Sequence, residues 1–465
     1  MQKLFDDCYG LDARCYEAFG LTEDILMEHA AAGLAGAVRR RLPAGSHLFI
    51  VAGPGNNGAD GITLARQLWG EYEISLWLPY GAKSSMAKLQ LARFEKVGGE
   101  CVGGAVRQAD GIVDALFGAG FSRGLDEEGQ KIIEALNLMG GDKIACDIPS
   151  GLDPDGTPLP VAFRADLTVT MGALKKALFS DAAKRHTGEI VVADLGIPRH
   201  LYESHTESFV LESADFAPPL RHDPAAHKGH FGHLAVVAGQ KAGAAKLCAL
   251  AALRFGAGLV TLVHSSQMEG VPFSLMQGCD FPANTTAVAL GMGLGEGGEE
   301  RIDAALKLGV PLLLDADACD APWLAEALKG PCVVTPHPAE FARMAKRLGL
   351  GTPDTAAVQA DRFGWARRFA DAYPEAVLVL KGAHTLIAHR HLLYVNPLGT
   401  PVLSQAGSGD VLAGLIGSLL AQGYDPLNTA IQGSLALALT ARRYEGADYS
   451  ATAEDLIEGL RWIGQ

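Results

Sequence analysis

Short, uninterrupted apolar runs alternating with longer helical patterns constrain this chain more than any other feature. A run such as His47-Leu48-Phe49-Ile50-Val51-Ala52 lacks the in-and-out alternation of a strand with one wet face, so it reads as buried on both sides. Strands of that kind, separated by helix-length segments, build a parallel sheet covered by helices. In the first half the strand candidates are His47–Ala52, Glu73–Leu78, Gly111–Ala115, Lys143–Asp147, Leu167–Met171 and Ile190–Ala193. Helical patterns at Gly58–Trp69, Lys83–Val97 and Glu127–Leu138 lie between them.

After Gly196-Ile197-Pro198 the pattern breaks, and His205–Pro224 reads as irregular and polar, punctuated by Pro218-Pro219 and Pro224. A fresh series then begins at His233–Ala238 and continues through Leu259–Val263, Ala287–Leu290, Pro311–Leu314, Cys332–Thr335 and Val377–Leu380. A hairpin, Thr385–Ala388 with Leu392–Val395, and two helices, Asp410–Gln422 and Pro426–Tyr444, complete the pattern. At 465 residues the chain exceeds what one core usually organises, so two domains are expected, residues 1–212 and 213–465, with the boundary near Glu212. No repeat relates the halves.

The hydrophobic share of 48% and charged share of 20% suit a folded protein with ample core. A net charge of −14 argues against a dominant nucleic-acid or anionic-membrane surface. It does not exclude a phosphate ligand, since helix-start N–H groups bind anions locally. The partner expected is therefore a small molecule, with no nucleic acid and no membrane, and the chain is expected to form a homo-oligomer. The eight cysteines are scattered and form no CxxC pair, which fits a reducing compartment. The start of the chain lacks a signal-peptide apolar stretch, and the uncharged apolar run Val411 to Tyr424 is too short to span a bilayer. A cytoplasmic location is the expectation.

In the first half, the strand His47–Ala52 runs into Gly53-Pro54-Gly55-Asn56-Asn57-Gly58-Ala59-Asp60-Gly61 and then a helix. Strand, Gly-rich turn and helix start together place free N–H groups at the sheet's carboxyl edge. The segment lacks the Lys-Ser/Thr of a Walker A loop and is no clean GxGxxG. A tight turn needing glycine for backbone room is the plain alternative. Two more clusters fall at strand ends: Asp114-Ala115-Leu116-Phe117-Gly118-Ala119-Gly120-Phe121-Ser122-Arg123-Gly124, and Asp147-Ile148-Pro149-Ser150-Gly151-Leu152-Asp153. Carboxyl ends of parallel strands converge on one crevice. Asn57, Asp114 and Ser150 would offer hard oxygens to a cation there, although any single carboxylate serves equally well as a helix cap.

These segments, with Leu26-Met27-Glu28, Thr168–Met171 and Ala193–Pro198, resemble the YjeF N-terminal family, the NAD(P)H-hydrate epimerases, over roughly residues 1–212. The resemblance implies a Rossmann-like three-layer α/β/α domain. It implies that Asn56, Asn57, Gly58, Ala59 and Asp60, and Gly118, Ala119, Gly120, Phe121, Ser122, Arg123 and Gly124, contact the hydrated nucleotide. Asp147 would stand at the reactive end as the acid/base group, with help from Lys175. A potassium ion would be held by Asn57, Asp114 and Ser150. Ala59 stands where the family usually has a second glycine, which removes φ freedom and is expected to tighten the pocket slightly.

In the second half the sharpest motif is Ser404-Gln405-Ala406-Gly407-Ser408-Gly409-Asp410. Gly-Ser-Gly at a helix start aims several N–H groups at one point, an anion hole for a transferring phosphoryl group. Asp410 would accept a proton from an attacking hydroxyl; otherwise it is a carboxylate favoured by the helix dipole. Lys381-Gly382-Ala383-His384-Thr385 and Thr335-Pro336-His337-Pro338-Ala339-Glu340 end two other strands.

With His227–Gly232, Arg254–Val260 and Gly291-Met292-Gly293-Leu294-Gly295, these motifs resemble the ribokinase-like α/β superfamily, specifically its ADP/ATP-dependent NAD(P)H-hydrate dehydratases, over about residues 222–463. The resemblance implies nucleotide contacts at Lys381, Gly382, Ala383, His384, Thr385 and Gly409, and substrate contacts near Ala244, Gly293, His337 and Asp410. It also implies ADP or ATP as phosphoryl donor, with Mg2+. Ala339, Ala406 and Met292 replace common family residues, so altered affinity is expected. Two other readings remain: a small-molecule kinase fused to a binding domain, and a first half that binds a nucleotide or partner without catalysis.

Overall fold

The computed structural model describes residues 1–122, 124–295 and 299–464; Arg123 lies outside the described residues. The chain divides into two compact units between Thr206 and Glu207. This falls upstream of Glu212 for a physical reason. Ser208–Val210, expected to be irregular, is a strand whose Ser208, Phe209 and Val210 pair in parallel with Leu393, Tyr394 and Val395. That ladder ties the segment to the second unit.

In the first unit six strands form one parallel sheet, in the spatial order Glu73–Trp77, His47–Ala52, Gly111–Ala115, Asp142–Cys146, Leu167–Met171, Glu189–Ala193. Strand faces separate cleanly. Leu48, Ile50 and Ala52 join a core with Leu34, Ile62, Leu64 and Phe94 from the helices Glu23–Arg41, Asn56–Leu68 and Ser85–Lys96. Phe49 and Val51 join Ile132, Ile133 and Leu136 of the helix Glu127–Leu138 on the opposite face. Both faces are dry, as continuous apolar strands require. The sheet order reverses at His47–Ala52, whose neighbours on either side follow it in sequence. Ligands bind at such switch points, outside the carboxyl ends.

Several elements went unread in the sequence, among them two near the start of the chain. Gln2–Phe5 is a short strand pairing with Leu174–Lys175, with Phe5 opposite Lys175. Tyr9–Phe19 is a helix held by buried Leu11 and Cys15, by Tyr202 Oη donating to Asp12 at 2.7 Å, and by Arg14 Nη2 donating to the Tyr202 carbonyl at 2.8 Å.

In the second unit Met276–Gly278, Leu259–Val263, His233–Val237, Ala287–Leu290, Leu312–Leu314, Cys332–Val334 and Ala376–Leu380 lie side by side and parallel. The antiparallel hairpin Thr385–His389 and Leu392–Asn396 extends the sheet. Helices Ala242–Arg254, Ser408–Ala421 and Pro426–Arg442 share one core with Leu234, Val236, Val333 and Val377. Among the described residues no helix is long and apolar enough to cross a membrane.

Candidate functional site

The loops after three neighbouring strands of the first unit wall a cavity of about 970 Å3. Its lining includes Asn56, Asn57, Asp60, Gly118–Ser122, Gly124, Asp147 and Lys175. The Asn56–Leu68 helix has Gly55 at its start and no side-chain cap, so its first N–H groups remain for a ligand. Gly58 is buried under this turn: a Cβ there would stand 1.9 Å from the Gly53 carbonyl oxygen. Ala59 is fully buried within the helix and does not line the cavity. The expected tightening at Ala59 therefore does not arise, because the close approach is made by Gly58.

At the closed end Asp147 and Lys175 form an ion pair at 2.6 Å, with the lysine side chain only 3% exposed. Asp147 sits just past its strand at φ +69°, a conformation uncommon outside glycine that tertiary contacts must hold. Those contacts are present: its Oδ1 also accepts from Met171 N at 3.1 Å and Thr170 Oγ1 at 3.2 Å, and Oδ2 from Ala119 N at 3.4 Å. Burial pushes the Asp147 carboxyl up, but the Lys175 ammonium and these N–H groups outweigh it and hold it below the ordinary value. Lys175 also donates to Thr170 Oγ1 and to the Met171 carbonyl, both at 3.0 Å. Burial works against its charge; the Asp147 carboxylate prevails and raises its pKa. Asp60 differs. Burial, then the Asp147 charge, pushes its carboxyl well above the ordinary value.

Of the three residues expected to hold a cation, Asn57 lines the cavity and Asp114 and Ser150 do not. Asp114 is fully buried and accepts from Ser150 N at 2.7 Å, Ser150 Oγ at 2.6 Å and Leu116 N at 3.2 Å. Burial lifts its carboxyl to about 6 despite these bonds. Asn57 Nδ2 is buried without a hydrogen-bond partner, and Asn57 Oδ1 faces Gly118. Among the described residues no group of three or more His, Cys, Asp or Glu is placed to hold a metal.

In the second unit Lys381 and Gly409, two of the expected residues, come together where strands end. Gly407, at φ +90°, turns the chain into the helix Ser408–Ala421, whose start no side chain caps. Lys381 Nζ donates to Asp315 Oδ1 at 2.9 Å and lies 3.6 Å from Glu340 Oε2. Thr335 Oγ1 donates to the same Asp315 oxygen at 2.7 Å. A Cβ on Gly409 would stand 3.6 Å from Lys381 Nζ and 4.0 Å from Asp315 Oδ2, so the helix start sits directly over this pair. Burial, then the Asp315 charge, raises the Asp410 carboxyl to about 6. Burial opposes the Lys381 charge, but Asp315 and Glu340 hold it protonated above its ordinary value. Gly293 and Ala244 meet at Lys241, whose N–H donates to the Gly293 carbonyl at 3.0 Å and whose carbonyl accepts from Ala244 N at 3.2 Å.

Two expected contacts look different in the structure. His337 caps its helix: Nδ1 accepts from Ala339 N and Glu340 N, each at 3.2 Å, while Glu340 Oε2 accepts from His337 N at 2.8 Å. His384 is buried, its carbonyl accepting from Arg362 at 2.7 Å, while Gly382 and Ala383 are exposed. Sequence reasoning passed over Asp315, although Leu312-Leu313-Leu314-Asp315 repeats the apolar-strand-then-carboxylate pattern that flagged Asp147. It also passed over Cys8, Tyr9, Asp12 and Tyr16, which line the first cavity; their spacing along one helix face was the available signal.

Fold and sites together define a two-domain α/β enzyme, with an acid–base pair in one cavity and a Gly-rich helix start facing a lysine and carboxylates in the other domain. The family described as NAD(P)H-hydrate dehydratase matches residues 234–461, and the YjeF-related protein N-terminus matches residues 23–177. The bifunctional NAD(P)H-hydrate repair enzyme of Helicobacter pylori is 40% identical, covering 100% of both chains. That of Escherichia coli is 31% identical, covering 93% of this chain and 87% of its own. Among solved structures, the ADP/ATP-dependent NAD(P)H-hydrate dehydratase of Bacillus subtilis, co-crystallized with ATP/Mg2+, is 26% identical and covers 54% of this chain and 94% of its own, at a TM-score of 0.46. The chain belongs to the family of bifunctional NAD(P)H-hydrate repair enzymes, with an epimerase domain followed by a dehydratase domain.

Proposed function

We propose that the chain interconverts R and S hydrates of NADH or NADPH in its first domain and restores the S form to the dihydronicotinamide in its second. The Asp147–Lys175 pair, closing a nucleotide-sized cavity in a chain matched end to end by a repair enzyme, carries this reading.

For epimerisation, Asp147, held ionised by Lys175, accepts the proton of the C6 hydroxyl. The C6–O bond becomes a carbonyl as C6–N1 breaks, and N1 takes a proton from Lys175. Reclosure on the other face of the carbonyl, with the protons returned, gives the second epimer. Asn57, Asp114 and Ser150 carry hard oxygens suited to potassium; Asn57 would offer Oδ1, since its unpartnered Nδ2 is a donor and calls for an acceptor instead. A cation there would brace the loops that carry Phe117 and Ser150.

For dehydration, Asp410 accepts the C6 hydroxyl proton as that oxygen attacks the terminal phosphoryl group of ADP or ATP. The bridging P–O bond breaks and the shortened nucleotide leaves. The C6 phosphate then departs with its bonding electrons and takes up the proton that C5 loses, restoring the double bond. The N–H groups at Ser408 and Gly409 and the Lys381 ammonium offset charge on the phosphoryl oxygens. Asp315, Glu340 and Asp410 outnumber Lys381 in charge, which fits a site completed by Mg2+ held through one or two carboxylates and the phosphates. Mg2+ would neutralise charge on the transferring group. ADP is the donor we favour.

The eight free cysteines support a reducing, cytoplasmic setting. The test supplies mixed R and S hydrates of NADH with ADP or ATP and follows dihydronicotinamide absorbance. Recovery beyond the S share supports both activities; no recovery with either nucleotide rejects the reading.

A further inference from the structure

The epimerase cavity has two chemically distinct ends. Asp147, at the reactive end, follows the strand Asp142–Cys146, whereas Tyr80 follows Glu73–Trp77, three places away in the sheet, a span of about 14 Å at the usual strand spacing. At this second end three rings form a cluster: Phe117 and Phe121 stack at 5.0 Å and 29°, and Tyr80 lies 5.8 Å from Phe117, tilted by 48°. All three line the cavity. Each keeps part of its surface exposed, whereas Phe49, Ile133 and Leu136 packed behind them are fully buried. A purely structural cluster would be expected to sink with its neighbours.

The ring platform is also held rigid. Tyr80 Oη donates to Asp126 Oδ1 at 2.8 Å, and the same carboxylate oxygen caps the helix Glu127–Leu138 by accepting from Gly129 N at 2.7 Å. An aromatic surface fixed to a helix start loses little freedom when a flat ligand stacks on it. The cavity, about 970 Å3, lies at the upper end of the size range for ligand sites, room beyond what one hydrated pyridine ring needs.

We propose that Tyr80, Phe117 and Phe121 form the purine subsite of the epimerase cavity, stacking on the adenine of the dinucleotide while its hydrated ring lies at Asp147 and Lys175. This rests on the epimerase reading above. Stacking reads a π-face rather than a hydrogen-bond pattern, so the subsite adds affinity for any dinucleotide carrying a flat base.

The test compares epimerisation of NADH hydrate with that of the hydrate of reduced nicotinamide mononucleotide, which lacks the adenosine half. Kinetics are read for the full chain, Tyr80→Leu and Tyr80→Phe. Tyr80→Leu raises KM for the dinucleotide about tenfold, the size of one lost base–ring stack, and moves that for the mononucleotide less than about twofold. Tyr80→Phe, keeping the ring, restores the dinucleotide KM. Equal kcat/KM for both hydrates in the unmodified chain, or equal loss of both in Tyr80→Leu, overturns the subsite. An unmodified chain that epimerises neither hydrate overturns the epimerase reading itself.

Discussion

Replacing Lys175 by Met removes the ammonium from Asp147 and leaves a carboxylate in a site that shields both groups from solvent. At 2.6 Å and an effective dielectric of about 20, the lost attraction is roughly 6 kcal/mol. Desolvation repays much of that, so the net cost of deleting one partner of such a buried pair is about 3–5 kcal/mol. The pH dependence has a definite sign. In the unmodified chain the Asp147 carboxyl lies below its ordinary 3.8, so its stabilising contribution is present above that value and is lost as pH falls through the folded value. Without Lys175, burial is the leading influence that remains, and the folded carboxyl rises above 3.8. The variant then loses stability as pH climbs, and the gap between the two proteins widens from about pH 4 toward neutrality. Native-state hydrogen exchange on the strands Gly111–Ala115 and Leu167–Met171 reads this domain's opening free energy within the full chain. Adding Asp147→Asn to Lys175→Met should recover about 1 kcal/mol or more, because it removes the stranded charge. A cost below about 1 kcal/mol for Lys175→Met, or a double variant matching the sum of the single ones, refutes the reasoning.

Asp410→Asn should abolish nucleotide-dependent dehydration and leave epimerisation intact, whereas Asp147→Asn should leave the R form stranded; chiral chromatography of the hydrates after turnover separates the two losses. The acid limb of the dehydratase kcat/KM profile should fall near pH 6, where Asp410 titrates. Asp315→Asn should move that limb to lower pH, because a negative neighbour that raises Asp410 is gone. Gly118→Ala places a Cβ 2.9 Å from Asn57 Oδ1. It should blunt any potassium dependence of epimerisation while leaving dehydration unaffected, as a salt titration of both activities would show.

Much of this fold was legible because buried parallel strands are short and apolar throughout. His47–Ala52, Gly111–Ala115, Leu167–Met171, Leu259–Val263 and Ala287–Leu290 need no tertiary information to be read. The carboxylates near strand ends were legible for the same reason: Asp147 follows the run that ends at Cys146, and Asp114 interrupts an otherwise apolar run one residue before its end. Ser208–Val210 was not, because three residues among polar neighbours become a strand only through the ladder at Leu393–Val395. The helix Tyr9–Phe19 was missed since only Leu11 and Cys15 of its apolar residues are buried and others line a cavity, which weakens the amphipathic signal. His337 looked like a ligand contact in sequence, yet a histidine before Pro338 with Glu340 three positions on is also a capping pattern, and the structure uses it as one. Asp315 fitted the strand-end rule and was passed over for lack of a flanking glycine motif.

The central claim is that two activities sit in series on one chain, and the purified R hydrate tests it most directly. Supplied with the full chain, ADP and Mg2+, the R form should return nearly all of its dihydronicotinamide absorbance, and the Asp147→Asn chain should return almost none while still consuming the S form. If the R hydrate is not consumed by the unmodified chain, or if Asp147→Asn consumes it equally well, the assignment of an epimerase site to Asp147 and Lys175 is contradicted.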